Sequence, residues 1–282
     1  MKGKQSNRTS EKRSLLAFFL LVFLLSIPIW VLGPVVERLL PEELTTTLPV
    51  SSLMFIVPGG AAVILVHREE GPGARRTLLK RAFDYGRIKR KLWYAPILVL
   101  WPAMMILQYL LVRPTALPVA DPQLPGLMLP VSFAVFFIAA LGEEVGWQGY
   151  AMDPLQDRWG ALTASIIVGT VWAAWHCVPF IQMDRTPAWI ACQAASIVVV
   201  RILTVWIYNN TGKSLFAAIA FHAMYNVATV LLPSYGWHYG PAVGLAITSV
   251  AAVFITLLWG PETLARFRYA RQGDDVHATS AG

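Results

Sequence analysis

The chain is short of charge. Of its 282 residues only 14% are Asp, Glu, Lys or Arg, against about 25% in soluble globular domains. It has two cysteines. Both, Cys177 and Cys192, fall inside apolar runs, so no disulfide framework is implied. Zinc-finger spacing and arginine repeats are missing, which argues against nucleic acid as a partner. There is no HExxH helix, and no GxGD or membrane Tyr-Asp pair of an aspartyl protease. "NNTGKSL" contains Gly212-Lys213-Ser214, but the position five before Gly212 is Ile207, so it is not a phosphate-binding loop. Cys177 beside His176 is not a catalytic dyad, because adjacent helical positions diverge.

What the chain does have is hydrophobic residues, 56% of the total, with 11 Trp and 13 Phe and a mean hydropathy of +0.55. This composition predicts an integral membrane protein. Eight apolar runs of bilayer length recur, at about 14–32, 50–66, 93–112, 127–147, 161–180, 188–207, 214–232 and 241–260; a span needs roughly 17 to 25 residues. The expected fold is all-α, a polytopic helical bundle of about eight spans around an irregular, water-accessible interior. The second run is short and carries Pro58-Gly59-Gly60, which predicts a bend. The first run follows Lys12 and Arg13 but lacks a small-x-small cleavage site through Trp30, so it reads as a retained helix. Residues 1–13 and 261–282 read as tails flanking one membrane domain, 14–260.

The net charge of +7 is concentrated in a few loops, which points to anionic lipid headgroups. With eight spans, 19 of the 23 Lys and Arg fall on the side of the two termini, and Arg38, Arg113 and Arg185 on the other. The positive-inside rule then predicts both termini in the cytoplasm. The most basic segment, "HREEGPGARRTLLKRAFDYGRIKRK" (67–91), reads as an inside anchor, with Thr77 to Phe83 as a short interfacial helix.

Polar side chains are costly within a span and default to functional candidates. Here they are Glu143 and Glu144 in the fourth run, His176 in the fifth, Gln193 and Arg201 in the sixth, and His222 with Asn226 in the seventh. His222 and Asn226 are four apart and share a helical face. Glu143 and Glu144 point about 100° apart, so their roles should differ, and Gln148, one turn after Glu144, is placed to orient it. A carboxylate beside imidazoles can activate water, directly or through a metal. A His and an Asn amide on one face can stabilise an oxyanion. Taken singly, each residue also has an ordinary structural reading: a histidine bonded to a neighbour, or an acidic pair among headgroups.

The depths pose a difficulty. At 1.5 Å per residue, His176 would lie about 22 Å and His222 about 12 Å above the start of their spans, while the acidic pair falls near the cytoplasmic end of the fourth. They meet only if the fourth helix runs deeper, to about Asp153, or the fifth starts later and tilts.

"EEVGWQGY" (143–150), "WAAWH" (172–176) and "HAMYN" (222–226) together resemble the three motifs of the CPBP family of intramembrane proteases. That is the CAAX prenyl protease and bacteriocin-processing family, also called Abi. The resemblance covers roughly 127–232 and includes the Thr-Gly-Lys-Ser turn before the third motif. It implies an intramembrane endopeptidase in a bacterial or archaeal plasma membrane, acting on a peptide or membrane-protein substrate, prenylated or not. It further implies that Glu143 is the general base, working with His176, that His222 and Asn226 stabilise the oxyanion, and that Glu144 supports them. The family is described as metalloprotease, and Glu143, His176 and His222 would be the ligands of a zinc ion with one open position; a metal-free glutamate mechanism uses the same groups. Two positions depart from the family pattern. Gln148 stands where Glu-Glu-x-x-x-Arg has arginine, and Trp172 stands at the phenylalanine of Phe-x-x-x-His. The tryptophan is a mild change, whereas the glutamine removes a cation. Arg201 is placed to snorkel, to pair with a nearby acid, or to meet the acidic pair in place of that arginine. Two other functions fit the same residues: a catalytically silent family member that binds a membrane partner, and a proton-coupled transporter.

Overall fold

The structure, a computed structural model, describes residues 13–39, 50–112, 128–231 and 242–265. The protein is all-α among these residues. The helices are α1 (Leu15–Glu37), α2 (Ile56–Glu70), α3 (Pro72–Arg81), α4 (Tyr94–Val112), α5 (Met128–Gly146), α6 (Asp153–Trp159), α7 (Ala161–Gln182), α8 (Pro187–Asn210), α9 (Leu215–Leu231) and α10 (Ala242–Trp259). Seven described helical segments are long and apolar enough to cross a membrane, and α9 is a shorter apolar helix. Each of the eight apolar runs therefore becomes a helix. Arg113, expected in a loop opposite the termini, and most of both tails lie outside the described residues.

Leu16, Val31, Val131, Ile138 and Val250 are all more than 60% exposed. Such a girdle would be unstable in water and is what a lipid-facing surface requires. The interior runs the other way. Glu144, Gln148, Arg201, Ser26 and Ser165 are fully buried, alongside Trp101, Trp147 and Trp175.

Two boundaries differ from the sequence reading. The second span begins as a 3₁₀ turn, Val50–Phe55, and becomes α-helical at Ile56. Pro58 thus sits in the first α-helical turn, where its missing N–H leaves no bond unmade, and the irregularity precedes Pro58-Gly59-Gly60. The fourth span does not stop at residue 147. It continues from Met128 to Trp159 as one 32-residue helical segment, because Trp147–Met152 forms a π-helical stretch joining α5 to α6. Charged Asp153, Asp157 and Arg158 look like a loop in the sequence but are helical. The turn comes at Gly160, whose φ of 78° is the left-handed region that glycine adopts without penalty.

This extension removes the difficulty over depth for Glu143 and His176. Gly160 links α6 to α7 as a helical hairpin. Glu143 is 17 residues before that turn and His176 16 after it, so both stand at one height, about 24 Å along their helices.

Small residues let α2 and α5 touch. A Cβ on Gly59 would come within 2.6 Å of the Gly142 carbonyl oxygen, and one on Gly142 within 2.6 Å of the Phe55 oxygen. A Cβ on Gly146 would overlap the Pro58 backbone. Close backbone approach through small residues four apart is the usual basis of tight packing between membrane helices, and here it fixes the helix carrying Glu143 and Glu144.

The segment after α10 folds back onto the hairpin. The Ala161 and Leu162 N–H groups, at the start of α7, donate to the Glu262 and Pro261 carbonyls at 2.7 and 2.9 Å. Asn209 and Asn210, ending α8, donate from their side chains to the Thr263 and Leu264 carbonyls at 2.8 and 2.7 Å.

Candidate active site

The π stretch shapes the site. Its i→i+5 pattern leaves backbone carbonyls out of register with the α-helical ladder, and two arginines take them. Arg13 donates to the Gly149 and Tyr150 oxygens at 3.2 and 2.9 Å. Arg81 donates to the Gly149 oxygen at 3.3 Å and to the Tyr208 hydroxyl at 2.5 Å. Burial opposes the Arg81 charge, but Tyr208, Asp153 and Asp84 outweigh it and hold its pKa above the ordinary arginine value. Phe18 from α1 packs on Trp147 and Tyr150 with ring centroids 5.5 and 4.9 Å away. The stretch is therefore locked from both faces.

Just above it the two carboxylates part. Glu144 is fully buried and paired twice. Arg201 from α8 grips it with two parallel bonds, Nη1 to Oε2 at 2.6 Å and Nη2 to Oε1 at 3.0 Å. The His222 Nδ1 lies 2.8 Å from Oε1. Glu143 takes a different partner: the Trp172 indole N–H donates to its Oε2 at 2.7 Å. One ring joins the two arms. The Arg201 guanidinium stacks 4.4 Å over the Trp172 ring, a cation–π contact, and the same ring meets His222 and His176 edge-on at 5.2 and 5.4 Å.

His176 sits beside this group, half-buried among Trp172, Trp175 and Phe180. Its Nδ1 is 3.0 Å from the Trp172 carbonyl oxygen. A carbonyl only accepts, so that contact requires Nδ1–H and leaves a lone pair on Nε2 of the neutral ring. Asn226 stands one turn beyond His222 on α9, half-buried; its carbonyl accepts from Thr229 at 3.0 Å, and its amide bonds to none of the described residues.

The geometry thus brings Glu143, Glu144, Trp172, His176, His222 and Arg201 together. Three sequence readings need correction or sharpening. Gln148 does not orient Glu144: it is fully buried, and both polar atoms of its side chain lack a partner among the described residues. The π stretch begins at Trp147 and rotates Gln148 off the face that an α-helical count assigns to it. Arg201, named from sequence only as one of several options, fills the cation position. The Trp172 indole N–H donates to Glu143, a bond that phenylalanine at this position could not make. Among the described residues no group of three His, Cys, Asp or Glu side chains is arranged to hold a metal ion. Glu143, His176 and His222 are turned instead toward Trp172, the Trp172 carbonyl and Glu144, so they do not fit a zinc ion as they stand.

Sequence reasoning missed the supports. Asp84, in the loop after α3, caps α9 from a distance: its carboxylate accepts from the Ser214 hydroxyl at 2.8 Å and from the Phe216 N–H at 3.1 Å. A carboxylate at a helix start is favourable, but nothing in the sequence pairs residue 84 with residue 216.

Fold and site together define a polytopic helical membrane protein with a buried carboxylate–histidine cluster. Residues 125–228 match the family model described as Type II CAAX prenyl endopeptidase Rce1-like. The chain is also 27% identical over 235 residues to the protein named CAAX prenyl protease 2 of Methanococcus maripaludis, an alignment covering 76% of this chain and 83% of that protein. Both comparisons show a likeness to Rce1-like, CPBP-type CAAX proteases.

Proposed function

We propose that the protein is an intramembrane endopeptidase in which Glu143 and His176 activate water against a peptide carbonyl. The observation that supports this best is the division of labour between adjacent carboxylates. Glu144 is paired with the Arg201 cation and hydrogen-bonded to His222, while Glu143 is held by a single neutral donor. Only Glu143 keeps an oxygen for chemistry.

In this reading Oε1 of Glu143 takes a proton from the attacking water, and Nε2 of His176 accepts the second hydrogen bond from that water. The water oxygen forms the new C–O bond and the carbonyl becomes an oxyanion. Glu143 then passes its proton to the departing amine as the C–N bond breaks, leaving a carboxylic acid and an amine. Glu144, gripped by Arg201, accepts Nδ1–H of His222. When protonated on both nitrogens, His222 donates Nε2–H to the oxyanion, and the Asn226 amide adds a second donor. Preorganised donors of this kind are worth about 10²–10³ in rate.

The substrate class is a peptide or membrane-protein tail entering from the cytoplasmic side, with a prenylated C-terminus favoured by the likeness to the archaeal CAAX prenyl protease 2. The uneven Lys and Arg distribution supports both termini lying in the cytoplasm, and one membrane domain spanning 14–260. A catalytically silent, partner-binding role draws support from the unpartnered Gln148, but Arg201 already supplies the cation that Gln148 lacks.

The deciding experiment is proteolysis by the purified protein in liposomes, with prenylated and unprenylated peptides and with and without chelator. Glu143→Ala and His222→Ala should both abolish cleavage by the folded protein. Cleavage persisting in either would sink the assignment, and a folded wild type inert across the panel would move the binding role to first place. Loss on chelation alone would bring a metal into the mechanism.

A further inference from the structure

The segment from α3 to the start of α4 has two unlike faces. Its inner face is closed. Leu78 and Ala82 are 3% and 1% exposed, Arg81 holds the π stretch, Asp84 caps α9, and Arg87 donates to the Gly212 carbonyl at 3.2 Å. Its outer face is open, with a surface groove of about 480 Å³ lined by Arg75, Arg76, Leu79, Lys80 and Phe83.

This face mixes three cations with two apolar side chains, and Leu79 and Phe83 are 43% and 61% exposed. Water alone would not favour that exposure. The position explains it. Only Gly71 separates α3 from the end of α2, so the helix lies where a span leaves the hydrocarbon, on the side carrying most of the Lys and Arg. At that level apolar side chains reach acyl chains while cations reach headgroup phosphates. Among the described residues no acidic side chain lines the groove.

We propose that the outer face of α3 is a binding site for one anionic phospholipid, its phosphate held by Arg75, Arg76 and Lys80 and its acyl chains laid against Leu79 and Phe83. This is a local site, distinct from the general attraction of a basic protein to an acidic membrane. It does not depend on the chain being a protease.

The test uses the full chain in mixed micelles containing equal amounts of phosphatidylglycerol and phosphatidylcholine, with retained lipid counted by mass spectrometry. Wild type should retain phosphatidylglycerol preferentially. The triple variant Arg75→Gln, Arg76→Gln, Lys80→Gln should lose about tenfold of that preference. A triple glutamine variant at Lys89, Arg90 and Lys91, all exposed, removes the same charge a few residues away and should keep most of it. Leu79→Ser with Phe83→Ser keeps every charge and should still weaken retention. Equal losses in the two charge variants would reduce the effect to diffuse attraction and overturn the site, as would an unaffected serine variant. No preference in the wild type would also overturn it and leave an acidic protein segment as the occupant.

Discussion

The long fourth span is two different helices in one. From Met128 to Ile138 its side chains are apolar but for Ser132 and mostly exposed; from Glu143 to Met152 every residue is buried, although this part carries Glu143, Glu144 and Gln148. A water-soluble helix would do the opposite, burying its apolar part and exposing its acids. In a bilayer the apolar half has no reason to hide, whereas each polar group must find a partner within the protein. The outer half is therefore defined by what it can tolerate and the inner half by what it needs. One half should accept substitution freely, and the other should fail at single atoms.

That contrast can be broken from its costly end. Arg201→Ala leaves Glu144 buried beside His222 without its bidentate partner, and should cost about 3–5 kcal/mol, read as a large fall in thermal unfolding temperature in detergent together with loss of activity. An unchanged temperature would mean that Glu144 does not depend on Arg201. Glu143→Gln should behave differently: activity falls about 10²–10⁴-fold while stability stays near wild type, since the amide oxygen still accepts from Trp172. Gly146→Ala tests the backbone contact, because the added methyl meets Pro58; about 1–3 kcal/mol of destabilisation is expected, measured by the same unfolding curve. Trp172→Phe removes the hydrogen bond to Glu143 and should cost about 1 kcal/mol with a clear drop in kcat. A kcat equal to that of wild type would show that the ring matters and its N–H does not. Smallest of all, Val131→Ala in the outer half should stay within about 0.5 kcal/mol. A larger effect would erase the distinction between the halves.

Much of the architecture was legible because membrane spans announce themselves by length and apolarity alone. Every run became a helix, and the motif residues Glu143, Glu144, His176 and His222 were found as rare polar groups in apolar surroundings. Illegible was whatever depended on two distant segments meeting. The run from Gln148 to Arg158 is polar enough to pass for a loop, and its helix survives because Arg13 and Arg81 satisfy the π stretch. Nothing local to residues 147–152 states this. Sequence reasoning put His222 beside Glu143 only as one of three ligands of a zinc ion, whereas His222 bonds Glu144: a 100° turn between neighbours decides which acid faces α9, and only packed helices fix its direction. Arg201 was visible as a charge inside a span but not as a geometry. Its significance, like that of Trp172, comes from three helices converging on one indole ring.

The backfolded segment at residues 261–264 adds a question of timing. The ribosome makes the chain from its N-terminus, so the hairpin bearing Glu143 and His176 enters the membrane about 100 residues before the strip that ties its base is synthesised. Until then the first N–H groups of α7 lack these partners, and the Asn209 and Asn210 amides have only Gln156 and the Trp206 carbonyl. A chain halted at Trp259 would contain all eight spans and still hold an untied hairpin. The last hydrogen bonds at the base of the hairpin can therefore form only once residues 261–264 have been made.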